Sequence, residues 1–566
     1  MPCFFYAEAI EYRQVICKRA GYDEDGCQRI SRGRIHKLEV GVMEDLRRLP
    51  IGVQSFRSMR EDGYVYVDKT RYIHELVTGS KQYFLSRPRR FGKSLFLSTL
   101  KAYWEGRKEL FDGLEIMELE VYQKNDWPSY PVFYFDFNGK NYQQDTALED
   151  VLDKMLLNWE AEYGGSNDRP LEDRFQQLLR LAVEKTGRRC VVLVDEYDKP
   201  LLEVLENEAR EEHNKAVFKG FFSTLKSYDE YLQFVFITGV TKFSKVSIFS
   251  DLNQLRDISL TSEFAGICGI TEQELTSCFA PEISDFAKAQ DISEEECLAE
   301  LRRQYDGYHF YPRSEGVYNP FSLLNALADK DYNPYWFSTG TPTFMVRRLK
   351  NLHFDLRQFA DGSLCANAAT LTDYRADNPN LVPLLYQTGY LTISDYERRG
   401  KLYLLSFPNE EVKFGFMESL LPEYAPQTYP GSGKDILSLR RRIEEGDVES
   451  VREILTALFA GIPYTTDDAP FEHYFQSVLY IIFTLLGQFV TCEAHSSRGR
   501  ADCIIETDAF VYIFEFKLDK PAAEALAQID EKGYAKPYGA DSRQIFKIGV
   551  SFDSRERSLK EWLVGE

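Results

Sequence analysis

The stretch SRPRRFGKS, Ser86 to Ser94, ends in the letters of a phosphate-binding loop. The usual pattern, G-x-x-x-x-G-K-[ST], opens on glycine, and here Arg87 stands in that place. Losing that glycine removes conformational freedom but none of the groups that do the chemistry. Backbone N–H groups around Gly92, at the start of a helix, can face phosphate oxygens. Lys93 can set its ammonium on the outer phosphates, and Ser94 can hold Mg²⁺ through its hydroxyl. Arg87, Arg89 and Arg90 add positive charge beside a polyanion. Arg89, Arg90, Phe91, Gly92, Lys93, Ser94 and Leu95 are therefore the expected ATP-binding stretch. About 100 residues on, CVVLVDEYD is an apolar strand ending in Asp195, placed to reach the Mg²⁺ through water, with Glu196 beside it as a base for the attacking water. FVFITGVTK then offers Thr238 or Thr241 to sense the terminal phosphate and Lys242 as a lesser cationic contact.

A second group of charges lies near the C-terminus, in GRADCIIETDAFVYIFEFK (499–517). Read as two strands joined by a turn at TDA, it puts Glu515 and Lys517 on one face and Phe514 and Phe516 on the other. Antiparallel pairing brings Asp502 near both. Two carboxylates and a lysine on one strand face make a Mg²⁺ site beside a cation, the set that activates water against a phosphodiester. Glu472, on the apolar helix FEHYFQSVLYIIF, can add a third carboxylate, and Gln528 and Tyr534 on the next helix can support the site or the substrate backbone. The bland alternative is a surface hairpin with alternating charges.

These residues need elements to position them. KQYFLS (81–86), YPVFYFDFNG (130–139), CVVLVDEYD (190–198) and LQFVFITGVTKF (232–243) read as strands, with helices at 95–104 and 145–164 among them. Strands separated by helices of this length imply crossover connections, hence an α/β fold with a parallel sheet covered by helices. After about Phe264 helices and aromatic loops dominate, and strands at 390–397 and 402–408 can form a small winged-helix-like unit. PQTYPGSGKDI (426–436) is rich in turn formers and reads as a linker, so its GSGK is taken as a loop. The last unit is expected to run as one helix, two paired strands, a helix, then a final strand and helix. The resulting organisation is a poorly ordered leader (1–42, with Met43 an alternative start), a nucleotide-binding core (43–263), a helical or winged-helix-like middle (264–460) and a C-terminal αβ unit (461–566).

Composition narrows the function classes. At 566 residues the chain is long enough for about three or four domains. Its net charge of −21 argues against binding nucleic acid with the whole surface, since phosphate affinity comes from Lys and Arg. A local basic groove remains open to it, with 87–90, 440–442 and 498–500 as candidates. The longest apolar run, Val478 to Val490, is shorter than the ~20 residues of a membrane span, so no membrane partner is expected. Ten cysteines without a C-x-x-C pair fit free thiols in a reducing cytoplasm.

Strand-RPRRFGKS-helix, VVLVDEYDKP, ITGVTKFSKVSIFSDLNQLRDISL, FAGICGITEQEL, YDGYHF and VYNPFSLLNAL together resemble the bacterial AAA-ATPase-like family over roughly residues 49 to 330. The loop without its first glycine looks like that family's usual form. The final hundred residues are similar to the PD-(D/E)xK nuclease superfamily, although RAD stands where PD would. By that resemblance Asp502, Glu515 and Lys517 match the catalytic triad, Glu472 the helix glutamate and Gln528 the helix glutamine. The two resemblances imply a P-loop ATPase core and a restriction-endonuclease-like domain. The expected function is ATP binding and hydrolysis coupled to a Mg²⁺-dependent nuclease on nucleic acid, DNA rather than RNA, with a homo-oligomer also open. The alternative is a nucleotide-gated signalling or scaffold protein whose nuclease-like domain only binds nucleic acid or a partner.

Overall fold

A computed structural model describes residues 48–121, 127–205, 207–242, 255–338, 343–359, 363–372, 380–424, 432–460, 471–487, 491–494, 501–556 and 558–565. The expected leader, Met43 and most of the KFSKVSIFSDLNQL stretch lie outside them.

Five parallel strands form the first sheet: β1 (Gln82–Ser86), β2 (Val132–Asp136), β3 (Cys190–Asp195), β4 (Leu232–Gly239) and β5 (Arg256–Asp257), in the order β2-β3-β4-β1-β5. Every residue of β3 is buried, as a strand covered on both faces must be. Helices α1 (Lys93–Trp104), α2 (Ala147–Tyr163), α3 (Leu171–Thr186) and α4 (Glu208–Phe222) supply the connections. Aromatic side chains fill the layer between α2, α3, α4 and β2, with Phe135 against Trp159, Phe175 and Phe221. Register aligns the strand ends: Ser86 pairs with Gly239 and Asp136 with Asp195. The C-terminal ends of β1, β3 and β4 therefore share one edge, the usual place for a ligand in an open α/β sheet.

The middle region packs α5 (Glu272–Cys278), α6 (Ala280–Gln290), α7 (Glu294–Tyr305) and α8 (Pro320–Asp329) around their own core. Thr271–Glu274 and Ser293–Glu296 start α5 and α7 as reciprocal capping boxes, and Asn319 caps α8. Further on, β6 (Cys365–Ala366), β7 (Thr392–Glu397) and β8 (Leu402–Ser406) form a three-stranded antiparallel sheet in the order β6-β8-β7, followed by α9 (Glu410–Tyr424).

The stretch read as a linker loop instead enters a helix, α10 (Ser432–Glu445), which takes up the Ser-Gly-Lys of GSGK. Ile436, Leu439 and Ile443 recur at helical spacing and are buried, and that stripe outweighs the turn formers before it. With α11 (Val448–Ala460) it packs on the C-terminal unit, where the Tyr512 hydroxyl donates to the Ile443 carbonyl at 2.6 Å.

That unit is a mixed sheet, β13-β12-β11-β10-β9, built from β9 (Thr491–Ala494), β10 (Cys503–Glu506), β11 (Phe510–Leu518), β12 (Gln544–Asp553) and β13 (Ser558–Gly565). Its helices are α12 (Phe471–Leu486) and α13 (Ala522–Lys532). The expected closing helix is the strand β13. A bulge opposite Ser551/Phe552 puts Leu559 and Trp562 on one face, opposite Phe552 and Val550. An i, i+3 apolar spacing thus arises in a bulged strand. No described helix is long and apolar enough to cross a membrane.

Candidate functional site

The phosphate loop leaves β1 and enters α1 through Gly92, whose φ of 88° is left-handed and whose α-carbon faces open space. Arg90 also has positive φ, 68°. Arg87 corrects the first expectation: it is fully buried and faces the protein instead of a polyanion. Its guanidinium donates to the carbonyls of Ser86, Ser259 and Phe264, each at 2.9 Å, and lies 3.9 Å over the Phe310 ring. Where the pattern has a flexible glycine, this chain has a clamp on the loop's base. Lys93 is buried, with Nζ donating to the carbonyls of Arg87 and Pro88 at 3.0 and 2.9 Å.

At the end of β3, Asp195 is buried and accepts from the Thr238 hydroxyl at 2.9 Å and the Tyr134 hydroxyl at 3.4 Å. Thr238 thus holds Asp195. Glu196 follows with φ of 48° and lines the cavity described below. Burial pushes its carboxyl above the ordinary range, against the opposing charge of Lys93. Thr241 and Lys242 are committed elsewhere. Thr241 donates both N–H and hydroxyl to Asp198, and the Lys242 ammonium pairs with Asp257 at 2.7 Å.

The loop, with Lys93, Glu196 and Asp198, borders a cavity of about 510 Å³, while Asp195 and Thr238 lie behind this lining. Arg89, Arg90, Phe91, Gly92, Lys93, Ser94 and Leu95 are among its lining residues, together with the apolar side chains of Ile51, Val53, Val65, Val67, Phe279 and Leu324. Its size and its mixed lining suit a nucleotide, with polar groups for phosphates and apolar side chains for a base. Sequence reasoning missed Lys69. It lines the cavity, donates to the Gly266 carbonyl at 2.8 Å and pairs with Glu274 at 2.6 Å, and burial pushes its ammonium pKa down. A lone lysine in VDKT carries no spacing signal, and its partner lies 205 residues away.

The second site sits where β10 and β11 pair. Cys503 lies opposite Phe514, so Asp502 falls beside Glu515. Asp502 accepts the Phe516 N–H at 2.8 Å. Burial, then the charge of Glu515, pushes its carboxyl up to about 6. One oxygen of the buried Glu515, Oε1, accepts from Lys517 at 2.9 Å and from Gln528 of α13. Lys517 also donates to the Gln528 side-chain oxygen at 2.8 Å. Oε2 of Glu515 is buried with no hydrogen-bond partner among the described residues. A carboxylate oxygen left so is costly unless a cation or donor arrives, and the donor set, two carboxylates with hard oxygens, fits Mg²⁺. Behind the strand Phe514 and Phe516 pack on Phe483 of α12.

The hairpin alternation therefore brings Asp502, Glu515, Lys517 and Gln528 together. Tyr534 is buried with Ala501, Val511, Ile513 and Ile529. Glu472 falls in the first turn of α12, but its side chain lies outside the described residues. Among the described residues no three His, Cys, Asp or Glu cluster as a metal site. Arg357, which sequence reasoning missed, comes from a short 3₁₀ turn (Leu356–Phe359) packed on α12, and its charge favours the ionised form of Asp502.

Residues 50–249 match the family described as Predicted AAA-ATPase, and residues 470–562 match the PD-(D/E)XK nuclease superfamily. A curated relative from Azotobacter chroococcum mcd 1, described as an uncharacterized protein in the vnfD 5′ region, is 37% identical over 532 residues, covering 92% of this chain and 99% of the relative.

Proposed function

The chain belongs to the predicted AAA-ATPases that carry a C-terminal PD-(D/E)XK nuclease superfamily domain, and from that premise we propose a cytoplasmic ATP hydrolase whose nucleotide site governs Mg²⁺-dependent cleavage of nucleic-acid phosphodiesters, DNA in preference to RNA. The observation that carries the nuclease half is the unpartnered, buried Oε2 of Glu515 beside Asp502 and Lys517.

At the front cavity the N-terminus of α1 and the backbone around Gly92 face the phosphates. Lys93 exchanges the carbonyls of Arg87 and Pro88 for phosphate oxygens. Ser94 and Asp195 are the residues that would hold Mg²⁺, which neutralises charge on the phosphates when bound. Thr238 and Tyr134 fix the Asp195 carboxylate, and Glu196, its pKa raised by burial, accepts the proton of the attacking water. Phe91 and Leu95 shape the loop, while Arg89 and the exposed Arg90 stand ready for phosphate charge.

At the back site Asp502 and Glu515 would hold Mg²⁺, with Glu472 as a further carboxylate, and the ion supplies water activation and charge stabilisation. Gln528 sets the rotamer of Lys517, whose ammonium stabilises the charge that grows on the phosphate oxygens. A fluorescent ATP analogue tests the front site. Wild type should bind it with Mg²⁺, and Lys93→Ala should weaken binding at least about tenfold, the scale of one lost charge-assisted contact. Equal binding by both proteins would refute the assignment. The net charge of −21 favours a second reading, in which the back domain only binds a partner. A protein whose nucleotide binding is intact and whose cleavage is nil would support it.

A further inference from the structure

Helix α8 has two faces with different neighbours. Pro320, Phe321 and Leu324 line the nucleotide cavity, and Arg90 of the phosphate loop lies 4.7 Å over the Phe321 ring. Ser322, the next residue, is fully buried on the other side, its hydroxyl 2.8 and 3.0 Å from the two carboxylate oxygens of Glu411, to which it donates. Glu411, 4% exposed in the first turn of α9, also accepts the Trp336 N–H at 2.7 Å. One buried carboxylate thus joins three segments, and in a low-dielectric interior such bonds hold their partners tightly. Gly415, one turn further along α9, allows contact so close that a β-carbon there would stand 2.5 Å from the Phe337 ring, so α9 and the Trp336–Phe337 segment are closely packed. At its far side α9 packs on α12, and Phe483 of α12 packs on Phe514 and Phe516, the neighbours of Glu515.

We infer that the Ser322–Glu411 hydrogen bond is the junction through which nucleotide occupancy at the front cavity reaches the carboxylates at the back. Phosphates seated on the loop draw Arg90 away from Phe321, α8 shifts, and Ser322 carries the shift through Glu411 into α9, α12 and β11. Packed helices have discrete arrangements, so a small displacement at one end is passed on instead of being absorbed. The inference rests on the reading that the front cavity binds nucleotide, and the experiment separates the two.

Full-length wild type, Ser322→Ala, Glu411→Ala and Glu411→Gln are compared with and without a non-hydrolysable ATP analogue and Mg²⁺. Analogue affinity and amide hydrogen exchange across Phe471–Leu486 and Phe510–Leu518 are read. In wild type, the analogue should change exchange in both segments at least roughly fivefold, the low end of ordinary coupling between sites. Ser322→Ala and Glu411→Ala should still bind the analogue yet respond less than about twofold, whereas Glu411→Gln, which keeps an acceptor for both donors, should respond like wild type. If Glu411→Ala does not fold, Ser322→Ala decides. Binding without an exchange response in wild type overturns the junction. So does a full response in Ser322→Ala, or a response lost in Glu411→Gln, which would assign the role to charge. Absence of analogue binding by wild type removes the nucleotide reading first, and the inference with it.

Discussion

At the scale of single residues, the loop's unusual letter is the clearest lesson. Arg87 keeps the loop in place by occupying the site of a flexible glycine with three carbonyl contacts and an aromatic face. Restoring the common pattern should therefore do harm. Arg87→Gly is expected to cost about 3 kcal/mol, because three buried carbonyls lose their donor. Thermal unfolding would show this as a lower midpoint, and an unchanged midpoint would contradict it. Lys93→Ala, which takes the donor from the carbonyls of Arg87 and Pro88, should cost less, about 1–2 kcal/mol, while weakening nucleotide binding at least about tenfold, so the two substitutions separate clamp from ligand contact. The pattern G-x-x-x-x-G-K-[ST] points to a phosphate-loop form, but not to where Arg87 lies. Its partners, Ser259, Phe264 and Phe310, lie more than 170 residues further on.

At the scale of elements, much was legible because period and burial agree. The continuous apolar run of β3 and the alternation in IFEFK each predicted its neighbours, and the register of β10 against β11 brings Asp502 to Glu515. Legibility ended where two structures share one spacing. Leu559 and Trp562 fit a helix or a bulged strand equally, and only the pairing with β12 decides. The start of α10 was hidden by Gly and Ser, whose turn preference yields to a buried stripe further along. Helix α9 carries an electrostatic signature of its position. Burial raises the Glu411 carboxyl from 4.5 to about 7. Between those pH values the folded chain holds a proton that the unfolded chain has released. The stability from this group is therefore fully present below pH 4.5 and is lost as pH rises through about 7, up to ~3 kcal/mol in all. Unfolding midpoints at pH 5.5 and 8 should fall with rising pH in wild type and fall less in Glu411→Gln. Equal falls in both proteins would remove Glu411 from the account.

At the scale of the whole molecule, the two sites stand on separate sheets, and the middle region packs against both. Side chains from 260 to 425 touch the loop (Phe310 on Arg87, Phe321 on Arg90), and α9 packs on α12 of the last unit. One continuous apolar core runs through all three regions, from Phe84 to Phe552. A chain built this way should pass a change at one end to the other, so cleavage should depend on nucleotide. The measurement that tests this most directly is cleavage of linear DNA, circular DNA and RNA with Mg²⁺, with and without ATP, by wild type and Glu515→Ala. The account predicts DNA cleavage that ATP alters and that Glu515→Ala lowers at least about a hundredfold, the scale for loss of a group that stabilises transition-state charge. Cleavage undiminished in Glu515→Ala, or no cleavage of any substrate with or without ATP, would contradict it.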